Sequence, residues 1–442
     1  MKRVYENDLE KWYHGHDRKP LILRGARQVG KSTLVRLFAE RIGADLIEIN
    51  LEKRSFKSLL TEHFDIHDWI IEIESIARKK IQNKTIIFID EIQVQIKALA
   101  MLRYFYEERP DIAVISAGSL LEIALHNEEV NFPVGRVSFM WIGPMTFGEF
   151  LMAQGHDDLY QRILSNELLE LHHQMLLDEL KKYYFIGGMP KAIKTFLETK
   201  SLIEVRNIQN EIIQTYQEDF SKYGKRINTD RLTSVFKKLP FHLGVKLIYQ
   251  HLDRESKSSE IKKCIELFIR ANILIPTYHT DGNTLPLKSQ MDMNVFKIYF
   301  LDIGLVNCLH EFSWDGFNKV FDDVFSTKGF LAEQFIAQHM AYQINKTTAP
   351  ELMYWLRDKD SSKAEIDFLV SAHDTILPIE VKSQSGGKLK SLKVFAEVKS
   401  HSLAFKLSKN WFGQELIKIS NEKVLKVESW PLYAIEGLIN KK

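Results

Sequence analysis

A chain of 442 residues is too long for one compact core, so two to four domains are expected. Its 45% hydrophobic and 27% charged residues are those of a folded protein and exclude a disordered class. The net charge of +2 hides an uneven spread: residues 221–275 hold twelve Lys and Arg against five acids, and from Glu380 onward twelve Lys face six acids. Such basic stretches suit a polyanionic partner, or simply a solvated surface.

Cys264 and Cys308 are the only cysteines, too few for a disulfide framework or a cysteine zinc site, which suits a reducing compartment. The start, MKRVYENDLEKWY, lacks the apolar core of a signal peptide, and no run is long and apolar enough to span a membrane. A cytoplasmic protein without a membrane partner is therefore expected.

From residue 20 to about 145, short apolar runs alternate with helical patterns: LILRG, LIEINLE, TIIFIDE, IAVISAG and RVSFMWI. Strands separated by helices imply right-handed crossovers and a parallel sheet. Residues 146–220 have a helical period almost throughout. Over 221–320, the amphipathic helix KSSEIKKCIELFIRANIL precedes the strand-like ILIPTYH, the turn TDGNT and the strand VFKIYFLD, an order resembling a winged helix. Its Arg254, Lys257, Lys262, Lys263 and Arg270 would face phosphates, although Glu255 and Glu260 interrupt that face. Residues 321–442 read as helix, strand, strand, strand, helix and strand.

The stretch GARQVGKST, residues 25–33, fits G-x-x-x-x-G-K-[ST] between a predicted strand and a predicted helix. Gly25, Ala26, Arg27, Gln28, Val29, Gly30 and Thr33 would wrap backbone N–H groups around the phosphates of ATP. Lys31 would reach the β- and γ-phosphates, and Ser32 would ligate Mg²⁺. About 60 residues on, the apolar strand TIIFIDE ends in Asp90, which would hold the Mg²⁺ shell, and Glu91, which would activate water. Ser116 or Ser119, at the end of the next strand, would sense the γ-phosphate. Arg136 would act as an arginine finger, in its own chain or in a neighbouring copy of a homo-oligomer.

From PLILRGARQVGKST through FIDEIQ, SAGSLL, GRVSFMWIGPMTFGEFL and YFIGGMPKAI, the chain resembles a prokaryotic family of AAA+ ATPases with a C-terminal domain of poorly defined role. That resemblance extends over nearly the whole chain. It implies a helical lid, with Gly188 and Pro190 of GGMP packing on the nucleotide base, and it includes slow ATPases that act as switches. The residues alone read Gly187-Gly188 as a helix-breaking turn.

The last motif is PIEVKS, residues 378–383. On a strand, residues i and i+2 face one side, so Glu380 and Lys382 point together, and Asp367 on the preceding strand can lie beside them. Two carboxylates about 4 Å apart repel by roughly 4 kcal/mol at an effective dielectric of 20, which a divalent cation offsets well. The pattern resembles the PD-(D/E)xK nucleases over about 110 residues, with Glu333 as the upstream acid. It implies Mg²⁺ or Mn²⁺ on Asp367 and Glu380, with Lys382 positioning the attacking water. Gln384 would be a further substrate contact or simply a loop residue.

The expected fold is thus α/β: a P-loop parallel-sheet ATPase core (1–145), a helical lid (146–220), a winged-helix-like domain (221–320) and a restriction-endonuclease-like domain (321–442). The expected function is an ATPase that gates or powers a metal-dependent nuclease acting on DNA. A nucleotide-controlled switch or scaffold that binds partners without cutting is the alternative. A ring-forming remodeller would need a pore loop, for which Phe56 lies in the right region.

Overall fold

The five apolar runs of the first 145 residues each form a strand: β1 (Leu21–Arg24), β2 (Asp45–Asn50), β3 (Thr85–Asp90), β4 (Ala113–Ala117) and β5 (Ser138–Trp141). Every pairing is parallel, in the order β2-β3-β4-β1-β5, as connection through helices requires. Helices Lys31–Arg41, Ile66–Ala77 and Lys97–Glu108 cover the sheet, which explains why β1, β3 and β4 are buried along their whole length. Trp69 is fully buried edge-on to Phe105 at 6.2 Å, within a core that includes Ile49, Ile89, Leu102 and Val114.

The computed structural model describes residues 1–53, 65–95, 97–127, 132–222, 227–317, 329–359, 362–372, 374–382, 389–420 and 423–441. Phe56 and Gln384 lie outside these. Two units are distinguished: residues 1–144 with 270–272 and 345–349, and residues 145–269 with 273–344 and 350–442.

The second unit opens with helices, among them Phe147–Ala153, His173–Ile186, Pro190–Thr199 and Leu202–Asp219. Helices Thr229–Lys238 and Ser258–Arg270 come before the antiparallel pair β6 (Leu274–Thr280) and β7 (Met291–Phe300). After helix Phe330–Gln343 come β8 (Leu352–Lys359), β9 (Ser362–Ala372), β10 (Thr375–Val381), helix Lys390–Lys399, β11 (Leu403–Ser408), β12 (Gly413–Lys418) and β13 (Val424–Pro431).

These strands form one mixed sheet, β12-β13-β11-β10-β9-β8-β6-β7. The strand pair of the expected winged helix is therefore no free-standing wing: β6 runs parallel to β8, with Thr277 opposite Leu352. Most of β6 is buried, so it needs a neighbour on each side. Strands β12 and β13 also escaped the sequence reading. β12 is exposed along nearly all its length, so no alternation marks it.

Helix Phe330–Gln343 is buried on almost every side, and Gln334, Gln338 and His339 are held there by hydrogen bonds. Gln334 exchanges two hydrogen bonds with the Phe300 backbone, both 2.7 Å. Gln338 accepts from the Ile303 N–H at 2.9 Å, and His339 accepts from the Phe147 N–H at 2.9 Å. This helix carries Glu333 and fixes its height above the sheet.

Candidate functional site

The loop after β1 opens where the sheet order reverses, with β4 on one side of β1 and β5 on the other, the usual place for a ligand in such sheets. Gly25 has φ 131° and Gly30 has φ 90°, both left of what side chains tolerate. A Cβ on Gly25 would come within 2.2 Å of the Ile142 carbonyl oxygen. Arg3, which carried no sequence signal, holds the loop from outside: its guanidinium donates to the Val29 and Gly143 carbonyls, both at 2.8 Å.

Lys31 begins the helix and its Nζ donates to the Gly25 and Ala26 carbonyls at 2.9 and 2.7 Å. Burial lowers its ammonium to about 8, with Glu91 and Asp90 opposing. Ser32 Oγ donates to Asp90 Oδ2 at 2.8 Å, so the two expected Mg²⁺ ligands stand together. Burial also pushes the Asp90 carboxyl up, with the Ser32 hydrogen bond opposing. Glu91 sits at φ 55°, a conformation costing a non-glycine residue about 1 kcal/mol or more. Ser119 Oγ lies 3.5 Å from Glu91 Oε2 and accepts from Arg27 Nε at 3.3 Å. Ser116 is buried at the end of β4, its hydroxyl unpartnered among the described residues.

In the second unit, the β9–β10 register continues from Phe368 opposite Ile379 to set Asp367 beside Glu380. Asp367 Oδ2 accepts from the Val381 N–H at 2.7 Å, and Lys382 Nζ donates to Glu380 Oε1. Glu380 is 3% exposed, and its Oε2 is buried with no partner among the described residues. Glu333 accepts from the Tyr299 hydroxyl at 2.7 Å, with Lys297 Nζ 3.9 Å away. Lys297 is ion-paired to Glu365. Gly244, at φ 71°, lies so close that a Cβ there would come within 3.1 Å of Glu333 Oε2.

Burial, then Asp367, pushes the Glu333 and Glu380 carboxyls up to about 8. Burial pushes Asp367 up too. For Lys382, burial is outweighed by Glu380, Asp367 and Glu333, which hold its ammonium above the ordinary lysine value. The structure thus gathers Glu333, Asp367, Glu380 and Lys382, and adds Lys297, Tyr299 and Glu365. A lone Lys inside the run VFKIYFL was the signal available for Lys297. Among the described residues, however, no three His, Cys, Asp or Glu side chains converge as a metal-binding group.

The family described as an AAA domain matches residues 17–151, spanning the sheet, the loop and the acidic strand end. The chain carries an AAA P-loop ATPase domain. Two domains of unknown function match beyond it, DUF8612 over residues 177–316 and DUF4143 over residues 328–430. No curated protein matches the chain. Among solved structures, the RuvB Holliday junction branch migration motor of Thermotoga maritima is 14% identical, with 60% of this chain and 84% of that chain covered at a TM-score of 0.28. The Aeropyrum pernix ORC2 protein is 11% identical over 70% of this chain and 94% of that chain, at a TM-score of 0.35. At these scores neither likeness bears on function.

Arg136 does not reach the nucleotide loop of its own ATPase domain. Ser138 pairs with Leu21, the first residue of β1, so Arg136 stands at the end of the sheet opposite the loop. There it pairs with Glu107 at 3.0 Å on the surface. Gly188 and Pro190 belong to the second unit. Gly188 N–H donates to Asp302 Oδ2 at 2.5 Å, and a Cβ there would come within 2.1 Å of the Met145 carbonyl oxygen. Pro190 starts helix Pro190–Thr199, where its missing N–H costs nothing. No helix among the described residues is long and apolar enough to cross a membrane.

Proposed function

We propose that the chain is an ATPase whose nucleotide cycle gates or powers a metal-dependent nuclease acting on DNA. In the ATPase domain, the backbone of residues 25–33 would cradle the phosphates of ATP. Lys31 would neutralise them, Ser32 and Asp90 would hold Mg²⁺, and Glu91 would orient the attacking water. In the second unit, the observation that carries the reading is the buried Glu380 Oε2, without a partner among the described residues, beside Asp367 and Lys382. Such an oxygen is costly to bury unless a ligand takes it up.

Hard carboxylate oxygens fit Mg²⁺ or Mn²⁺, and Asp367 and Glu380, with the Val381 carbonyl, would hold the ion. When bound, it supplies charge neutralisation at a phosphodiester. Lys382 would hold and orient the water, while Glu333 would border the site. The basic excess over residues 221–275, and the order of helices before β6 and β7, support DNA as the polyanion and a winged-helix-like role for this stretch.

The second reading is a nucleotide-controlled switch or scaffold that binds DNA or protein without cutting. It is favoured by the absence, among the described residues, of a converged three-residue metal group. Calorimetry separates the two. The nuclease reading expects divalent-cation binding that disappears in Asp367→Ala, whereas cation binding limited to that carried by MgATP would support the switch.

A further inference from the structure

The carboxylates of the second unit are not equivalent. Glu333 already has partners, the Tyr299 hydroxyl at 2.7 Å and the Lys297 ammonium at 3.9 Å. Lys297 is 1% exposed, is ion-paired to Glu365 and lies 5.0 Å from the centre of the Tyr354 ring. Glu380, 3% exposed, keeps one oxygen buried and, among the described residues, unpartnered. Among the described residues, one flank of the cluster thus holds a fixed ammonium, and the other presents an oxygen without a partner.

We infer that Lys297, reaching in from β7, is a built-in cation that occupies the flank a second metal ion would otherwise take, so that the site accepts a single divalent cation on Asp367 and Glu380. The inference rests on the metal-site reading of these two acids. The charges agree with it. Ionised, Glu333, Glu365, Asp367 and Glu380 carry four negative charges and Lys297 with Lys382 return two, leaving the charge of one divalent ion to be matched. A second divalent ion near Glu333 would meet the Lys297 ammonium in a buried environment where like charges repel strongly. Lys297 is held too tightly to move aside: it has no solvent to enter, and Glu365 and the Tyr354 ring fix its position.

Lys297 falls in the stretch matched by one domain of unknown function, and the three acids of the motif fall in the other. The site therefore needs both stretches. That dependence accounts for β6 and β7 being built into the sheet that carries Asp367 and Glu380.

The test is Mn²⁺ binding to the full chain without nucleotide, counted by electron paramagnetic resonance of the free ion. Asp367→Ala identifies the part that belongs to this site. The wild-type chain is expected to bind one such Mn²⁺, Lys297→Met to bind two, and Lys297→Arg, which keeps the charge, to bind one. Two Asp367-dependent ions in the wild type would overturn the inference even if Lys297→Met does not fold. A single ion of unchanged affinity in Lys297→Met would overturn it as well. No Asp367-dependent ion in the wild type would instead remove the metal-site reading beneath it.

Discussion

Lys31 shows how a single side chain joins fold to function. Its ammonium is buried among loop carbonyls, which lowers it to about 8. Phosphate binding requires the charged form, so ATP affinity should be flat below that value. Above it, affinity should weaken by up to roughly tenfold per pH unit as the proton is lost. Titrating ATP by fluorescence across this range checks the point, and Lys31→Ala should bind weakly without the pH break. Glu380 is shifted in the other direction. Its carboxyl is pushed up to about 8 by burial and Asp367, against about 4.3 in an unfolded chain. Between those values the folded state holds a proton that the unfolded state has lost, so stability falls as pH rises. Under the proposed metal site, a divalent cation on Asp367 and Glu380 would replace that proton. Mn²⁺ at a hundredfold excess over Kd should add about 2.7 kcal/mol, raising the melting temperature by a few degrees. At one fixed Mn²⁺ concentration the rise should be larger at about pH 8.5 than at about pH 6, and absent in Asp367→Ala. An equal rise at both pH values would remove Glu380 from the cation's ligands.

At the scale of elements, much was legible because periodicity reports burial directly. The five parallel strands of the ATPase domain were written as apolar runs, since a parallel sheet is covered on both faces. The strand–loop–helix around GARQVGKST and the pairing of PIEVKS with the Asp367 strand followed from spacing alone. Long-range placement was not legible. Nothing in LIPTYHT says that it pairs with a strand some 75 residues on, or in VFKIYFLD that its Lys enters a carboxylate cluster. Arg136 shows the same limit: the sequence places it just before β5 but does not show that the beginning of β5 meets the beginning of β1. The sheet makes a further prediction. A fragment of residues 321–442 would expose the β8 edge that β6 covers and lose Lys297 beneath Glu333. It should be insoluble or aggregate, whereas residues 145–442 should express as a folded protein. Co-sedimentation and far-UV circular dichroism of the two fragments check this; a soluble, folded 321–442 fragment would show that the strand pair is dispensable.

At the scale of the molecule, the chain joins an AAA P-loop ATPase domain to a unit whose mixed sheet carries a buried cluster of acids and two lysines. Under the proposed function both act on phosphorus, one set of groups on the anhydride of ATP and the other on a phosphodiester. Arg136 paired with Glu107 at the far edge of the parallel sheet leaves any arginine finger to another residue or another copy of the chain. The measurement that tests the account most directly is cleavage of single- and double-stranded DNA by the full chain with Mn²⁺. It would be made with and without ATP, beside Lys382→Ala and Lys31→Ala. Cutting that disappears in Lys382→Ala and changes with nucleotide only when Lys31 is present is the predicted result. No cutting under any of these conditions, by a chain that still binds ATP, would contradict the nuclease and leave the nucleotide-controlled switch.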